Sequence, residues 1–459
     1  MRWSKTLWVC AFAYLGPAST EAQPVTIRRD PRIEEMVRAV SPAEIERTIR
    51  TLAAFYTRHT LSTQRDPRVG IGAAARWIEA EMRRYSQVSG GRLRVELDTF
   101  TLNPDGRRVD RRVRLANILG ILPARDPQNK QVILVGAHYD SRASDVMDST
   151  SYAPGANDDA SGVAVVLELA RILSRYEYDA TIVLAAFAGE EQGLLGSEHL
   201  AQRAKREGWN IIAMITNDIV GNTEGDRGLK DNQRLRVFSE GVPAAETPEE
   251  AQLRQSIGGE NDSPARQLAR YIKEVGERYV DHFEVKLIYR RDRFLRGGDH
   301  IPFSRQGFPA VRLTEMHEHF DRQHQNVRRE AGRSFGDLPE FVDFAYVAQV
   351  ARLNLAVVAN LAWAPAAPQE VEIDISELSN DTTLRWKPGT TPPDLAGYYV
   401  LIRETTSPVW ERKLFVGNRT EVTLVGYSKD NYFFAVQAVD EQGHESLMIW
   451  PRPARRRSP

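Results

Sequence analysis

Gln131-Val-Ile-Leu-Val-Gly-Ala-His138-Tyr-Asp140-Ser141 sets an unbroken apolar run against an abruptly polar end. A strand with one wet face alternates apolar and polar residues, so a continuous run of this length predicts a strand covered on both faces. The same unit recurs on either side of it. Strands are predicted at 114–121, 131–137, 180–187, 211–219, 284–289 and 310–313, and helices at 160–173, 194–207, 263–279 and 341–361. Strands and helices in alternation give an α/β fold, a mixed and mostly parallel sheet sandwiched by helices. Upstream, Ser41-Pro42-Ala-Glu44 combines a cap, a first-turn proline and an acid, which starts a helix. A second amphipathic helix at 73–85 and an alternating strand at 92–102 complete a lead-in. The polar stretch 227–259, rich in Glu, Pro and Gly, reads as a long surface loop or insertion.

The 459 residues carry 61 basic and 62 acidic side chains, a formal net charge of −1. That balance argues against nucleic acid as an electrostatically held partner and against a charged membrane surface. Arg2 and Lys5 precede an apolar run at 7–15, Gly16-Pro17 and small residues up to Ala22, which is the pattern of a secretory leader over 1–22. The single cysteine, Cys10, lies inside it, so the exported chain is expected to fold without disulfides. No later segment is expected to reach the ~20 apolar residues of a membrane span. Secretion or a periplasmic location follows as an expectation.

The composition changes at Ala364-Pro-Ala-Ala-Pro368, a linker placed at 365–369 between a domain at 23–364 and a module at 370–450. Segments 370–375, 383–386, 397–403, 421–424 and 432–439 alternate with period two, which predicts an all-β sandwich around Trp386. Leu384-Arg-Trp386, Gly397-Tyr-Tyr399 and the run 432–439 resemble fibronectin type III, which implies a role in binding a surface or polymer. Few contacts are expected to cross such a proline-rich junction. The basic end at 451–459 is read as a solvated tail.

The chemistry collects where strands end. His138 and Asp140 follow the run 131–137; Gly155-Ala-Asn157-Asp158-Asp159-Ala-Ser-Gly162 opens a helix; Gly189-Glu190-Glu191-Gln-Gly193 follows the strand at 180–187. In α/β sheets such carboxyl ends converge on one site. A helix cap needs one acid, and Asp158-Asp159 supplies two. Five carboxylates beside a histidine, each at an apolar junction, call for cations, and the mixed His/Asp/Glu set suits a pair of zinc ions. Asp140 could accept the second ring N–H of His138.

In that order and spacing these motifs resemble the co-catalytic zinc exopeptidases, the family of bacterial leucyl aminopeptidases and glutamate carboxypeptidase, over roughly 113–326. The resemblance implies an aminopeptidase releasing N-terminal residues from peptides. It makes His138 a ligand of one zinc with Asp140 as its catalytic partner, and Asp158 the bridge between two ions, joined to Asp159 by a cis peptide. It makes Glu190 the general base, Glu191 a ligand of the other zinc, and Asp218 of Asn217-Asp218 a further ligand. For the last histidine, the stretch Glu315-Met-His317-Glu-His319-Phe-Asp-Arg-Gln-His324 offers three candidates. His324 is taken by its distance from the strand and its His-Gln-Asn ending, with His319 and His317 behind it. Gly298-Asp299-His300-Ile-Pro-Phe303 resembles the family's segment beside the substrate pocket, so Asp299 is expected at the substrate amine. A single-zinc glutaminyl-peptide cyclase and a carboxypeptidase using Arg290, Arg291 or Arg296 are alternatives of the same fold. A non-catalytic binding protein is disfavoured by the intact acid set.

Overall fold

Proline at the first helical position and a side-chain cap start both N-terminal helices of the computed structural model, which describes residues 29–389 and 394–455. Asp30 caps α1 (Pro31–Arg38) and Ser41 caps α2 (Pro42–Ala53). The leader expected at 1–22 and the end of the tail at 456–459 lie outside the described residues. After α3 (Ile71–Val88) come β1 (Arg94–Leu102), β2 (Val113–Leu122), β3 (Gln131–His138), α4 (Ala160–Leu173), β4 (Thr181–Phe187), α5 (Leu195–Arg206) and β5 (Asn210–Asn217). The domain continues through β6 (Arg234–Ser239), α6 (Pro248–Ile257), α7 (Pro264–Tyr279), β7 (Glu284–Ile288), α8 (His300–Arg305), β8 (Ala310–Glu315), the small hairpin β9 (Arg328–Glu330) and β10 (Arg333–Phe335), and α9 (Phe344–Trp363).

Eight strands form one mixed sheet in the order β1-β2-β4-β3-β5-β8-β6-β7. Its centre, β4-β3-β5-β8, is parallel. Alternate residues of β3 explain the unbroken run. Ile133 and Val135 point into a core shared with α4, α7 and α9, while Val132 and Leu134 pack with α5 and with Phe303 of α8 on the other side. The mixed, mostly parallel sandwich expected from the sequence is the fold observed.

Two expectations are corrected. Residues 227–259 are not one loop, since they contain β6 and α6; β6 alternates too weakly in polarity (Arg-Leu-Arg-Val-Phe-Ser) to stand out, and it is buried by pairing with β7 and β8. Helix α9 does reach the length and apolarity of a membrane span, yet 78% of that window is buried inside the protein. Its all-round apolar surface is covered by α1, α2, α4 and α7, the environment that permits such a helix in a globular core.

The C-terminal residues fold as two sheets. One is β15 (Glu421–Leu424)-β12 (Thr382–Lys387)-β11 (Gln369–Asp374)-β17 (Arg452–Ala454), the other β14 (Arg412–Gly417)-β13 (Leu395–Glu404)-β16 (Tyr432–Asp440). Leu384, Trp386, Val400, Ile402, Phe434 and Val436 fill the space between them. The start of the basic tail is β17, paired in parallel with β11 rather than solvated. The expectation that few contacts cross the proline-rich junction is also overturned. Tyr399, Leu401, Ala435, Val439 and Met448 join the core of the α/β domain. Buried Glu445 pairs with Arg278 at 2.8 Å and Lys413 at 2.7 Å, and its carbonyl accepts from the Tyr271 hydroxyl at 2.9 Å. His444 lies 2.8 Å from Asp30 and 2.6 Å from Asp440, linking the first helix cap to the module.

Candidate metal centre

The parallel strands β4, β3, β5 and β8 end along one edge, and their last residues deliver the polar groups there. His138 closes β3, Asp218 follows β5, Glu190 and Glu191 follow β4, and Asp158 stands at the N-terminal turn of α4. Asp158 lies between two imidazoles. Its Oδ1 is 3.1 Å from His138 Nε2, and its Oδ2 is 2.9 Å from His324 Nε2. On the first side Asp218 Oδ1 is 3.8 Å from His138 Nε2. On the second, Glu191 Oε1 is 3.0 Å from His324 Nε2. Two donor sets result, His138–Asp158–Asp218 and Asp158–Glu191–His324, the donor atoms of each lying within 4.8 Å of one another. Ligands at ~2.0–2.2 Å around one tetrahedral zinc sit roughly 3.3 Å apart, so both sets are spaced to close on a cation.

Glu190 belongs to neither set and lines the cleft beside them. The residue that fixes it is Asp140. Its carboxylate accepts the backbone N–H groups of Gly189 at 3.0 Å, Glu190 at 3.1 Å and Glu191 at 3.0 Å, and the Thr60 hydroxyl at 2.9 Å. The same carboxylate stands 3.5 Å from His138 Nδ1, whose nearer acceptor is the Asp140 carbonyl at 3.2 Å. Asp140 therefore orients an imidazole and a whole acidic turn at once. Asp159, joined to Asp158 by a cis peptide, caps α4 through Gly162 N at 3.0 Å and accepts the His138 N–H at 3.1 Å.

Burial and crowding set the protonation of this cluster. Burial works against a charged His138, yet Asp140, Asp158 and Asp218 together hold it well above its ordinary range. His324 is likewise held up, against burial, by Glu191 and Asp158. Burial, reinforced by the neighbouring Asp218, Glu191 and Asp299, pushes Glu190 well above the usual carboxylate range. So many acids in one desolvated pocket are stable only when counter-charge is supplied, by protons or by cations.

The structure brings His138, Asp140, Asp158, Glu190, Glu191, Asp218 and His324 together. His317 is elsewhere, its carbonyl accepting from Asn222, and His319 lines a small adjoining pocket with Glu315 and Arg322, on the far side of Asp158 from the cleft. Asp299 is fully buried at the start of α8, behind the residues that line the cleft. It occupies the N-cap position of α8 without a capping bond from its side chain, and burial raises its pKa to about 7. The cleft encloses about 740 Å³ and carries four guanidinium groups, Arg108, Arg142, Arg293 and Arg296, together with Phe320, Leu194 and Ile219. Of the expected carboxylate-binding arginines, Arg296 is on this wall; Arg290 and Arg291 are not.

Three supporting residues escaped the sequence. Thr60 arrives from the lead-in. Asp337 accepts the backbone N–H groups of Asn157 and Asp158, at 2.8 and 2.7 Å, from beyond the β9–β10 hairpin. No local signal marks either. Arg312 did carry one, a lone arginine inside the apolar strand at 310–313, and it is fully buried against Asp218.

Residues 117–340 match the profile of peptidase family M28. The chain is 47% identical over 421 residues to a probable zinc metalloprotease of Leptosphaeria maculans, covering 92% of this chain and 97% of that one. It is 44% identical over 447 residues to a probable zinc metalloprotease of Pyrenophora teres f. teres, covering 97% and 92%. Among solved structures it resembles the LapA aminopeptidase of Legionella pneumophila, with a TM-score of 0.52 at 18% identity over 73% of this chain and 76% of that one. An aminopeptidase from an Aneurinibacillus species superposes with a TM-score of 0.50 at 16% identity, over 72% and 96%.

Proposed function

The chain belongs to peptidase family M28, and from that premise we propose that it is an exported aminopeptidase working with two zinc ions. The observation that carries the reading is the sharing of Asp158 between two donor sets, with Glu190 beside them and in neither. His138 and Asp218 would hold one ion, Glu191 and His324 the other, and Asp158 both. Bound there, the cations would lower the pKa of a water and polarise the scissile carbonyl. Glu190 would accept a proton from the attacking water and return it to the leaving amine. Its raised pKa suits a group that must both accept and return a proton. Asp140 keeps Glu190 aimed, since three N–H bonds anchor the turn that carries it. The leader pattern at 1–22 supports export, and the strands β11 to β16 of the C-terminal sandwich support a fibronectin type III-like module at 370–450, for which we propose binding to a surface or polymer.

The test is hydrolysis of aminoacyl-arylamides by the zinc-loaded protein, with N-acetylated controls. Release from the free amines alone is expected. Cleavage of the blocked substrates at an equal rate sinks the aminopeptidase reading. One observation favours a second reading, carboxypeptidase action. The guanidinium groups of Arg108 and Arg142 line the cleft and bond only to backbone carbonyls, with no carboxylate within 4 Å of either guanidinium among the described residues. Guanidinium groups so placed suit a substrate carboxylate. Preference for N-blocked peptides with a free C-terminus over their C-terminal amides supports that reading.

A further inference from the structure

Arg312 is fully buried on β8, next to β5, whose end carries Asp218. Its Nη2 lies 2.8 Å from Asp218 Oδ1 and donates to the Asp218 carbonyl at 3.4 Å. Nη1 donates to the Gly297 carbonyl at 2.8 Å and stands 3.6 Å from Asp292. Asp292 is engaged elsewhere, 3.2 Å from Arg293 and 3.6 Å from His300, so Asp218 is the closer carboxylate for Arg312. The oxygen Arg312 grips is the same Oδ1 that faces His138 Nε2 at 3.8 Å.

The other donor set is different. Among the described residues no lysine or arginine comes within 4 Å of the carboxylates of Asp158 or Glu191; their close cationic neighbours are the histidines. Arg108 touches Glu191 only at its backbone carbonyl. A guanidinium cannot shed its proton, so Arg312 is a permanent charge in a desolvated place where Coulomb terms are large. It repels an arriving dication and competes with it for Asp218 Oδ1.

We propose that Arg312 makes the two cation positions unequal. The Asp158–Glu191–His324 position fills first, and the His138–Asp158–Asp218 position binds at least ten-fold more weakly because Arg312 already partners Asp218. This rests on the two-cation reading, and calorimetric titration tests the two apart. Chelator-stripped full-length protein is titrated with zinc chloride, then with cobalt chloride, whose absorption bands report each site as it fills. Two binding events separated ten-fold or more are expected. In Arg312→Met the weaker event should tighten by ten-fold or more while the tighter one moves less than three-fold. Asp218→Asn, which keeps the shape, should lose the weaker event and keep the tighter. Should Arg312→Met fail to fold, Arg312→Gln, which keeps a donor toward Asp218 without the charge, should likewise tighten the weaker event, and an unchanged weaker event there overturns the proposal. Two equal constants in the unmodified chain, an unchanged weaker event in Arg312→Met, or loss of the tighter event in Asp218→Asn overturns the proposal. No zinc binding at all removes the metal reading itself.

Discussion

At the residue scale, neighbouring carboxylates with similar surroundings do different work because of what holds them. Glu191 faces His324 and Glu190 faces open cleft, although they are adjacent in sequence. Glu190→Gln should therefore abolish turnover and leave zinc content at two equivalents, measured by atomic absorption on the dialysed protein. Loss of an equivalent would exchange its role with Glu191. Asp158→Asn should lower occupancy of both positions, since each of its oxygens faces a different imidazole; unchanged metal content would remove it from the centre. Protonation adds a pH effect whose sign is fixed. Burial raises Asp299 and Asp337 to about 7, and carboxylate neighbours hold His138 and His324 well above their ordinary range. Each group thus keeps, in the folded chain, a proton that the unfolded chain releases at lower pH, so its stabilising contribution is lost as pH rises. The two aspartates act between about pH 4 and pH 7 and the histidines from about pH 6.5 upward. The melting temperature of stripped protein should fall between about pH 6 and pH 9, and zinc, which replaces the histidine protons, should flatten that fall. A stripped protein that gains stability over the range contradicts the assignment.

At the element scale, the site depends on how tightly α4 meets the end of β5. A Cβ at Gly162 would drive into the Asn217 carbonyl and the Asp159 carboxylate. Alanine there gains ~1 kcal/mol of helix propensity, yet the backbone collision must displace either the cap or the strand that leads to Asp218. Gly162→Ala is expected to lower both the melting temperature and zinc affinity; a stabilised variant with intact zinc binding would show that the helix can slide. Asp140 acts on an element too, the turn after β4. Asp140→Ala strips an acceptor from three backbone N–H groups and should cost ~10–100-fold in activity or metal affinity, as removing the partner of a ligand shell does. Wild-type values in that variant would make the turn self-supporting.

For the whole molecule, the C-terminal sandwich is part of the body that carries the site. Helix α7 contacts it through Tyr271, Arg270 and Arg278, and also packs on the main sheet. A chain ending at residue 365 would expose Tyr271, Asn360 and the apolar residues now covered by Tyr399, Leu401 and Met448. Such a truncation should aggregate or melt well below the full chain, read by differential scanning fluorimetry. A soluble fragment with the full-length melting temperature would restore the independent-module view drawn from the linker composition.

The sequence by itself determined the alternation of strands and helices, because covered strands must be apolar on both faces and 131–137 and 180–187 are. It also determined which acids and which histidine stand at strand ends, since their spacing is local. The choice among His317, His319 and His324 was decided by tertiary structure, as the loop after β8 swings back over Asp158 and Glu191 with His324 at a positive φ of 50°. So was the arrival of Thr60, Asp337 and Arg312, which are brought from distant parts of the chain to satisfy buried polar atoms. The docking of the sandwich was hidden for the same reason. Linker composition reports only backbone freedom between two units, whereas the ion pairs of Glu445 and the apolar face of β13 exist only once both surfaces are folded.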